Sequence, residues 1–307
     1  MKIFLTGTTG YLGGTLARRL AAEGHTVRGL VRGPHRAAAV AEIGVEPVIG
    51  TLDDTDLLGS ESRDADAVVN AADSDHAGAA DAILRALHGT DTPLLHTSGT
   101  SIVGEASNGH PSDDIYGEDI MDPATGWTPT PDKAARVAID RAVLDAAKHG
   151  PRTVVLCNSM IYGTGTGLNP DSVQIPRLVQ QARTSGVARH IGPGANIWSN
   201  VHLDDVCDLY LRALEHAPPG AFYFVENGEE TFTAITAAIA AALHLGPPQP
   251  WDIDNAVAAW GYEPAVYALG SNSRVRGTRA RAELGWNPRH TSVTRWITEH
   301  AEADLPR

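Results

Sequence analysis

The chain opens with a short apolar run, Ile3-Phe4-Leu5-Thr6, that passes straight into Gly7-Thr8-Thr9-Gly10-Tyr11-Leu12-Gly13-Gly14. Few folds accommodate such a start. The run reads as a buried strand, and Gly-x-x-Gly-x-x-Gly as a tight turn into a helix. Glycine permits positive φ and lets backbone approach a ligand closely. The free N–H groups at the start of the next helix then face an anion, and a dinucleotide pyrophosphate suits that geometry. The helix predicted over 13–23 carries Leu12, Leu16 and Leu20 on one face at i, i+4 spacing.

Strand-like and helix-like segments continue to alternate, as in a parallel α/β sheet. Strands are predicted at Ile3–Thr6, Thr26–Val31, Glu46–Ile49, Ala67–Ala71, Leu94–Ser98, Thr153–Cys157 and Phe222–Val225. Several are apolar at nearly every residue, which is expected when helices cover both sheet faces. Helices are predicted at about 132–148, and at 174–185, 204–216 and 233–245, and Gly24, Gly44 and Gly150 stand where helix ends belong. After Ser159 turn signals multiply, beginning with Gly163-Thr164-Gly165-Thr166-Gly167. The expected architecture is α/β: a doubly wound parallel Rossmann sheet with a smaller C-terminal substrate lobe. Residues 1–159 form the dinucleotide-binding part, and 160–307 a lobe interleaved with the last strands of the sheet.

A formal net charge of −13 argues against a nucleic-acid or anionic-membrane surface. Cys157 and Cys207 are far apart and fit neither a disulfide framework nor a metal site, and the histidines show no ligand spacing. No metal is expected. The apolar run at the start is too short for a membrane span, so the expectation is a soluble cytoplasmic protein acting on a small molecule.

Five further segments carry a family resemblance: Asp66-Ala67-Val68-Val69-Asn70-Ala71-Ala72, Thr97-Ser98-Gly99-Thr100-Ser101-Ile102-Val103-Gly104, Met160-Ile161-Tyr162-Gly163, Val201-His202-Leu203-Asp204-Asp205-Val206 and Glu283-Leu284-Gly285-Trp286-Asn287-Pro288. In this order, behind the glycine loop, they resemble the extended and atypical short-chain dehydrogenase/reductases, the NAD(P)-dependent epimerase/dehydratase group. The resemblance implies a nicotinamide cofactor held by Gly7, Thr9, Gly10, Tyr11, Leu12, Gly13, Leu52, Asp53, Ala71, Ala72, Thr97, Lys133, Asn158 and Ser159. It also implies dimerisation through two helices on the sheet's outer face, as is frequent in the family.

The second strand ends in Arg32, with Arg36 close behind, where NAD-specific folds place an acid. An arginine pairs with a 2′-phosphate that an acid would repel, so NADP(H) is expected over NAD(H). Thr51 stands where the family usually has aspartate, which moves the adenine contact toward Asp53 or the backbone around Leu52.

The catalytic centre departs from the family. Its usual tyrosine and lysine are spaced Tyr-x-x-x-Lys, the lysine bonding the nicotinamide ribose and lowering the tyrosine pKa. Here Pro129 stands four residues before Lys133, and the nearest upstream tyrosine is Tyr116. The family's serine falls on Gly99, leaving Ser98 and Thr100 beside it as hydroxyl candidates. Other candidate proton donors are Tyr162, favoured for its place in the motif, and His202 and Tyr116. For His202 a bond to Asp205 at the junction into the next helix is the simpler role. Trp127 and Trp198 are the tryptophans expected nearest the site. Arg274 and Arg276 could grip a nucleotide-sugar diphosphate, although pairing with local acids explains them more simply. Three readings follow: an atypical NADPH-dependent reductase of a carbonyl or activated double bond, an NAD-using sugar-nucleotide epimerase or dehydratase, or an NADP(H)-sensing regulator without turnover.

Overall fold

A computed structural model of the chain describes residues 1–300, so the last residues of the expected lobe, 301–307, lie outside the described residues. Strands β1 (Lys2–Thr6), β2 (Thr26–Val31), β3 (Glu46–Ile49), β4 (Ala67–Asn70) and β5 (Pro93–Gly99) alternate with helices α1 (Tyr11–Ala22), α2 (Pro34–Glu42), α3 (Thr55–Arg63) and α4 (Ala77–Leu87). Two-residue strands β6 (Glu105–Ala106) and β7 (Tyr116–Gly117) precede α5 (Ala134–Ala146) and β8 (Arg152–Asn158). The lobe begins with β9 (Met160–Tyr162), α6 (Gln174–Ser185), β10 (Arg189–Ile191) and β11 (Ile197–His202). Helix α7 (Leu203–His216) and strand β12 (Ala221–Val225) then return to the main sheet. They are followed by β13 (Glu229–Thr231), α8 (Phe232–Ala242), β14 (Gln249–Trp251), α9 (Ile253–Trp260) and a π-helical turn at Glu263–Leu269.

The main sheet has seven parallel strands in the order β12-β8-β5-β4-β1-β2-β3. Each strand sends successive side chains to opposite faces, and in central strands such as β1, β4 and β8 both faces are buried, whereas edge strand β3 is mostly exposed. Ile3 and Leu5 pack with Leu16, Leu20, Val206 and Tyr210 on one side. Phe4 and Val68 pack with Ile83, Val137 and Val143 on the other. The lobe has its own core, in which Tyr162, Leu178, Trp198, Phe232 and Ile239 meet. Among the described residues, no helix is long and apolar enough to cross a membrane.

This strand order places the site. From β1 the chain winds outward to β2 and β3, then crosses back to β4 and winds the other way. The loops after β1 and β4 therefore diverge, leaving a crevice at the carboxyl ends of the strands. The glycine-rich segment 163–167 docks on the same corner. Tyr11 Oη donates to the Gly163 carbonyl at 2.7 Å, and Arg18 Nη1 to the Thr166 carbonyl at 2.9 Å. A Cβ on Gly167 would lie 2.5 Å from the Gly14 carbonyl carbon, so this contact of loop and helix admits no side chain.

Candidate active site

Gly7 has φ +78°, and a Cβ there would stand 2.3 Å from the Ala71 carbonyl oxygen. The two diverging loops thus touch through backbone alone. Helix α1 starts behind Gly10 without a side-chain cap, which leaves its first N–H groups to a ligand. In front of them lies a cavity of about 510 Å³ lined by Gly7, Thr9, Gly10, Arg32, Leu52, Asp53, Ala71 and Ala72, with His76 at its edge. His76 Nε2 lies 3.1 Å from Asp53 Oδ1. Arg32 is exposed and has no carboxylate partner among the described residues. Loop, helix start and cation fit a dinucleotide.

Other residues expected at the cofactor do different work. The Tyr11 phenol turns away to Gly163, Leu12 packs against the core, and Gly13 lies so close to Gly7 that a Cβ would be 2.4 Å from its carbonyl oxygen. Arg36 is exposed and outside the cavity wall. Thr97 Oγ1 meets Tyr210 Oη at 2.8 Å, and Ser159 Oγ donates to the Val225 carbonyl at 2.8 Å, so both hydroxyls serve the core.

A second pocket of about 680 Å³ lies at the ends of β5 and β8, between α5 and the lobe. Lys133, Thr100 and Asn158 line it as expected sites, joined by Ser101, Arg136 and Tyr267. Lys133 Nζ is 3.0 Å from Asp132 Oδ2 and 3.9 Å from the centre of the Tyr267 ring. Arg136 grips Asp75 with two nitrogens and donates to Ser101 Oγ at 2.6 Å.

Four expected hydroxyls are not available there. Tyr162 is 1% exposed inside the lobe core, with its ring edge-on to His202 and against Trp296. Burial and the nearby Asp205 carboxylate push its phenol far above the usual tyrosine value. Ser98 Oγ points across the sheet and donates to Asp140 Oδ2 at 2.7 Å, because position 98 falls on the face that α5 covers. Thr100 touches the pocket, but its Oγ1 is taken by Ser273 Oγ at 2.9 Å and the residue is buried. Tyr116 pairs with residue 275 in a short parallel ladder outside the pocket.

The profile of the NAD dependent epimerase/dehydratase family matches residues 3–225. The chain belongs to this family. Among curated relatives, the oxidase ucsJ of Acremonium sp is 32% identical over 94% of this chain and 92% of its own length. The 4-hydroxy-2-methyl-3-oxo-4-farnesyl-3,4-dihydroquinoline-1-oxide ketoreductase of Stigmatella aurantiaca is 28% identical, over 95% and 93%. Among solved structures, dTDP-glucose 4,6-dehydratase from Bacillus anthracis in complex with NAD superposes with a TM-score of 0.75 at 18% identity, covering 98% of this chain and 96% of that one. The protein is therefore an NAD(P)-dependent oxidoreductase of the epimerase/dehydratase family, with the Rossmann-type sheet expected from its sequence.

For a member of this family, the residues found by the structure rather than by motif are Ser101, Arg136 and Tyr267. Arg136 lies one helical turn beyond Lys133 on the same face of α5, and that periodicity was the available signal. Tyr267 carried none, since it reaches Lys133 from the far lobe.

A buried polar chain runs from β1 through β4 and β5 to α5. Thr6 Oγ1 donates to Asn70 Oδ1 at 2.7 Å, Asn70 Nδ2 meets His96 Nδ1 at 3.1 Å, and His96 Nε2 faces Asp140 Oδ1 at 3.6 Å. Burial raises the Asp140 carboxyl to about 7 and lowers His96 to about 4. The pair is thus a neutral imidazole facing a carboxylic acid at mildly acidic pH.

The remaining expectations settle simply. His202 Nδ1 accepts from the Asp204 N–H at 3.2 Å, capping α7, rather than bonding Asp205. Asp205 instead accepts from the Arg289 and His290 N–H groups, both at 2.9 Å. His202, Asp204 and His290 bring possible ligand atoms within 4.8 Å of one another. The two imidazoles, however, stack face to face at 3.8 Å, so their in-plane lone pairs run side by side instead of converging. Arg274 and Arg276 both pair with Glu229, at 2.9 and 3.0 Å, which removes them from any diphosphate. Trp198 borders the pocket, whereas Trp127 packs on the sheet core.

Proposed function

We propose that this protein is an NADPH-dependent reductase of a small-molecule carbonyl. The observation that carries the reading is the second pocket, where Tyr267, Lys133 and Ser101 stand together just beyond the dinucleotide cavity. When bound, the dinucleotide supplies a hydride to the carbonyl carbon. The Tyr267 O–H donates a hydrogen bond to the carbonyl oxygen and passes its proton there as charge develops. Desolvation, the Asp132 carboxylate and Tyr262 hold the Tyr267 phenol above its ordinary value, so it stays protonated at neutral pH. Lys133, on the face of that ring, steadies the phenolate left behind until solvent reprotonates it. When the cofactor is bound, Lys133 would also be the group to bond its ribose hydroxyl, as the family resemblance implies. Arg136 is committed to Asp75 and Ser101 and acts by positioning the Ser101 hydroxyl.

Preference for NADPH rests on Arg32, an unpaired cation on the cavity wall at the end of β2. A ketoreductase of full-length similarity supports carbonyl reduction. The sugar-nucleotide reading loses ground because Arg274 and Arg276 are held by Glu229 and position 129 offers no base.

Fluorescence titration with NADPH and NADH, followed by absorbance of the nicotinamide band with a panel of ketones and aldehydes, tests both halves. The expected result is tighter binding of NADPH and its oxidation by at least one carbonyl. Tight binding without oxidation across the panel would overturn the reductase reading in favour of a regulator.

A further inference from the structure

A third cavity, of about 830 Å³, opens on the outer side of α6 and is lined by Val173, Arg177, Arg189, Trp251, Ala259 and Trp260, with the polar face of α6 closing it. Val173 and Arg177 also line the pocket that holds Tyr267, so the two cavities share a wall and adjoin at α6. Trp251 and Trp260 meet edge to face at 4.9 Å, and the Arg189 guanidinium lies 5.9 Å from the Trp251 ring. Gln181 helps to set the wall, accepting from the Arg189 N–H at 3.1 Å and donating to the Val187 carbonyl at 3.1 Å.

Charge selects the occupant. In a chain of net charge −13, neither Arg177 nor Arg189 has a carboxylate partner among the described residues. Two unpaired guanidinium groups beside an aromatic slot complement a ligand with an apolar body and an anionic group.

We infer that this cavity is the distal part of the substrate site and takes an apolar chain or ring bearing a carboxylate. The carboxylate lies between Arg177 and Arg189 and the apolar body lies against Trp251 and Trp260. This deepens the reductase reading, on which it rests for the placing of the carbonyl near Tyr267.

Dodecanoate and dodecanol serve as probes, with quenching of tryptophan fluorescence as the readout in the presence of NADPH. Dodecanoate should quench saturably and bind at least tenfold more tightly than dodecanol. Arg177→Gln and Arg189→Gln should each weaken it about tenfold, and Ala259→Trp, which fills the slot, should abolish the signal. NADPH titration and circular dichroism of each variant show that the fold is retained. No saturable quenching, equal affinity for acid and alcohol, or unchanged affinity in the variants would overturn the proposal. So would a dimer in size-exclusion chromatography that Ala259→Trp dissociates, since a second copy would then be the occupant. If dodecanoate binds as expected but no carbonyl is reduced, the reductase reading fails and this site stands.

Discussion

The ammonium of Lys133, at the start of α5, lies 3.9 Å from the centre of the Tyr267 ring, which comes from a π-helical turn of the C-terminal lobe. The pair brings a tyrosine beside a lysine from two distant segments, whereas Pro129 leaves no tyrosine in the local motif. π-Helical turns concentrate at functional sites, because the extra residue redirects a side chain at a cost in helix stability.

Tyr267→Phe should lower kcat for carbonyl reduction by about a hundredfold or more, the usual worth of a general acid. The Kd for NADPH should stay within about twofold, since the phenol is assigned to the substrate oxygen. Tyr162→Phe, in the lobe core, should keep kcat within a few fold. Steady-state kinetics on both variants decide the assignment, and the opposite ranking would return the role to Tyr162.

Arg32→Ala should raise the Kd for NADPH by about tenfold or more, given ~1.5–3 kcal/mol for a hydrogen bond to a charged group. NADH should be nearly unaffected, because it lacks the 2′-phosphate. Parallel titrations measure the ratio, and equal losses for the two cofactors would remove Arg32 from the discrimination.

Gly7→Ala places a methyl group 2.3 Å from the Ala71 carbonyl oxygen at a residue held at φ +78°. A strained backbone of this kind costs about 1–3 kcal/mol, and relief requires the β1 and β4 loops to separate. The expected outcome is a lower Tm together with loss of dinucleotide binding. A variant with normal Tm and normal NADPH affinity would contradict the close approach seen here.

The pair His96–Asp140 gives a pH signature only when split. The carboxyl of Asp140 is raised to about 7, so its contribution to stability is complete below the ordinary aspartate value and is lost as pH rises toward 7. His96 is lowered to about 4, so its contribution is complete above the ordinary histidine value and is lost as pH falls toward 4. Between these limits the folded pair and the unfolded pair each bind one proton, and the two slopes cancel. Denaturant melts of wild type should therefore show little dependence on this pair from about pH 4.5 to 6.5. His96→Asn should lose roughly 1 kcal/mol per unit as pH rises through that window, and Asp140→Asn should lose a similar amount as pH falls. Parallel slopes in the two variants would disprove the neutral pairing of His96 with a protonated Asp140.

Buried parallel strands advertise themselves, since every residue must be apolar when both faces are covered. The predicted strand at 153–157 lies within the fully buried part of β8 for that reason, whereas the helix at 174–185 showed itself by its apolar stripe of Ile175, Leu178, Val179 and Ala182. Much of the dinucleotide cavity was legible too, because Gly7, Gly10 and Arg32 sit on turns whose geometry is local. The chemical end was not. Whether Ser98, Thr100 or Ser101 faces the pocket depends on where β5 stops and which face α5 covers, and no pattern in residues 97–104 records that.

By itself, the sequence determined the alternating architecture, the pyrophosphate turn and the loss of tyrosine at position 129, all consequences of short-range periodicity and residue type. Only the tertiary structure decided which tyrosine stands at Lys133. That proximity is made by closing the lobe over the sheet, and contacts between distant segments are paid for by the burial of their cores rather than encoded in any local spacing.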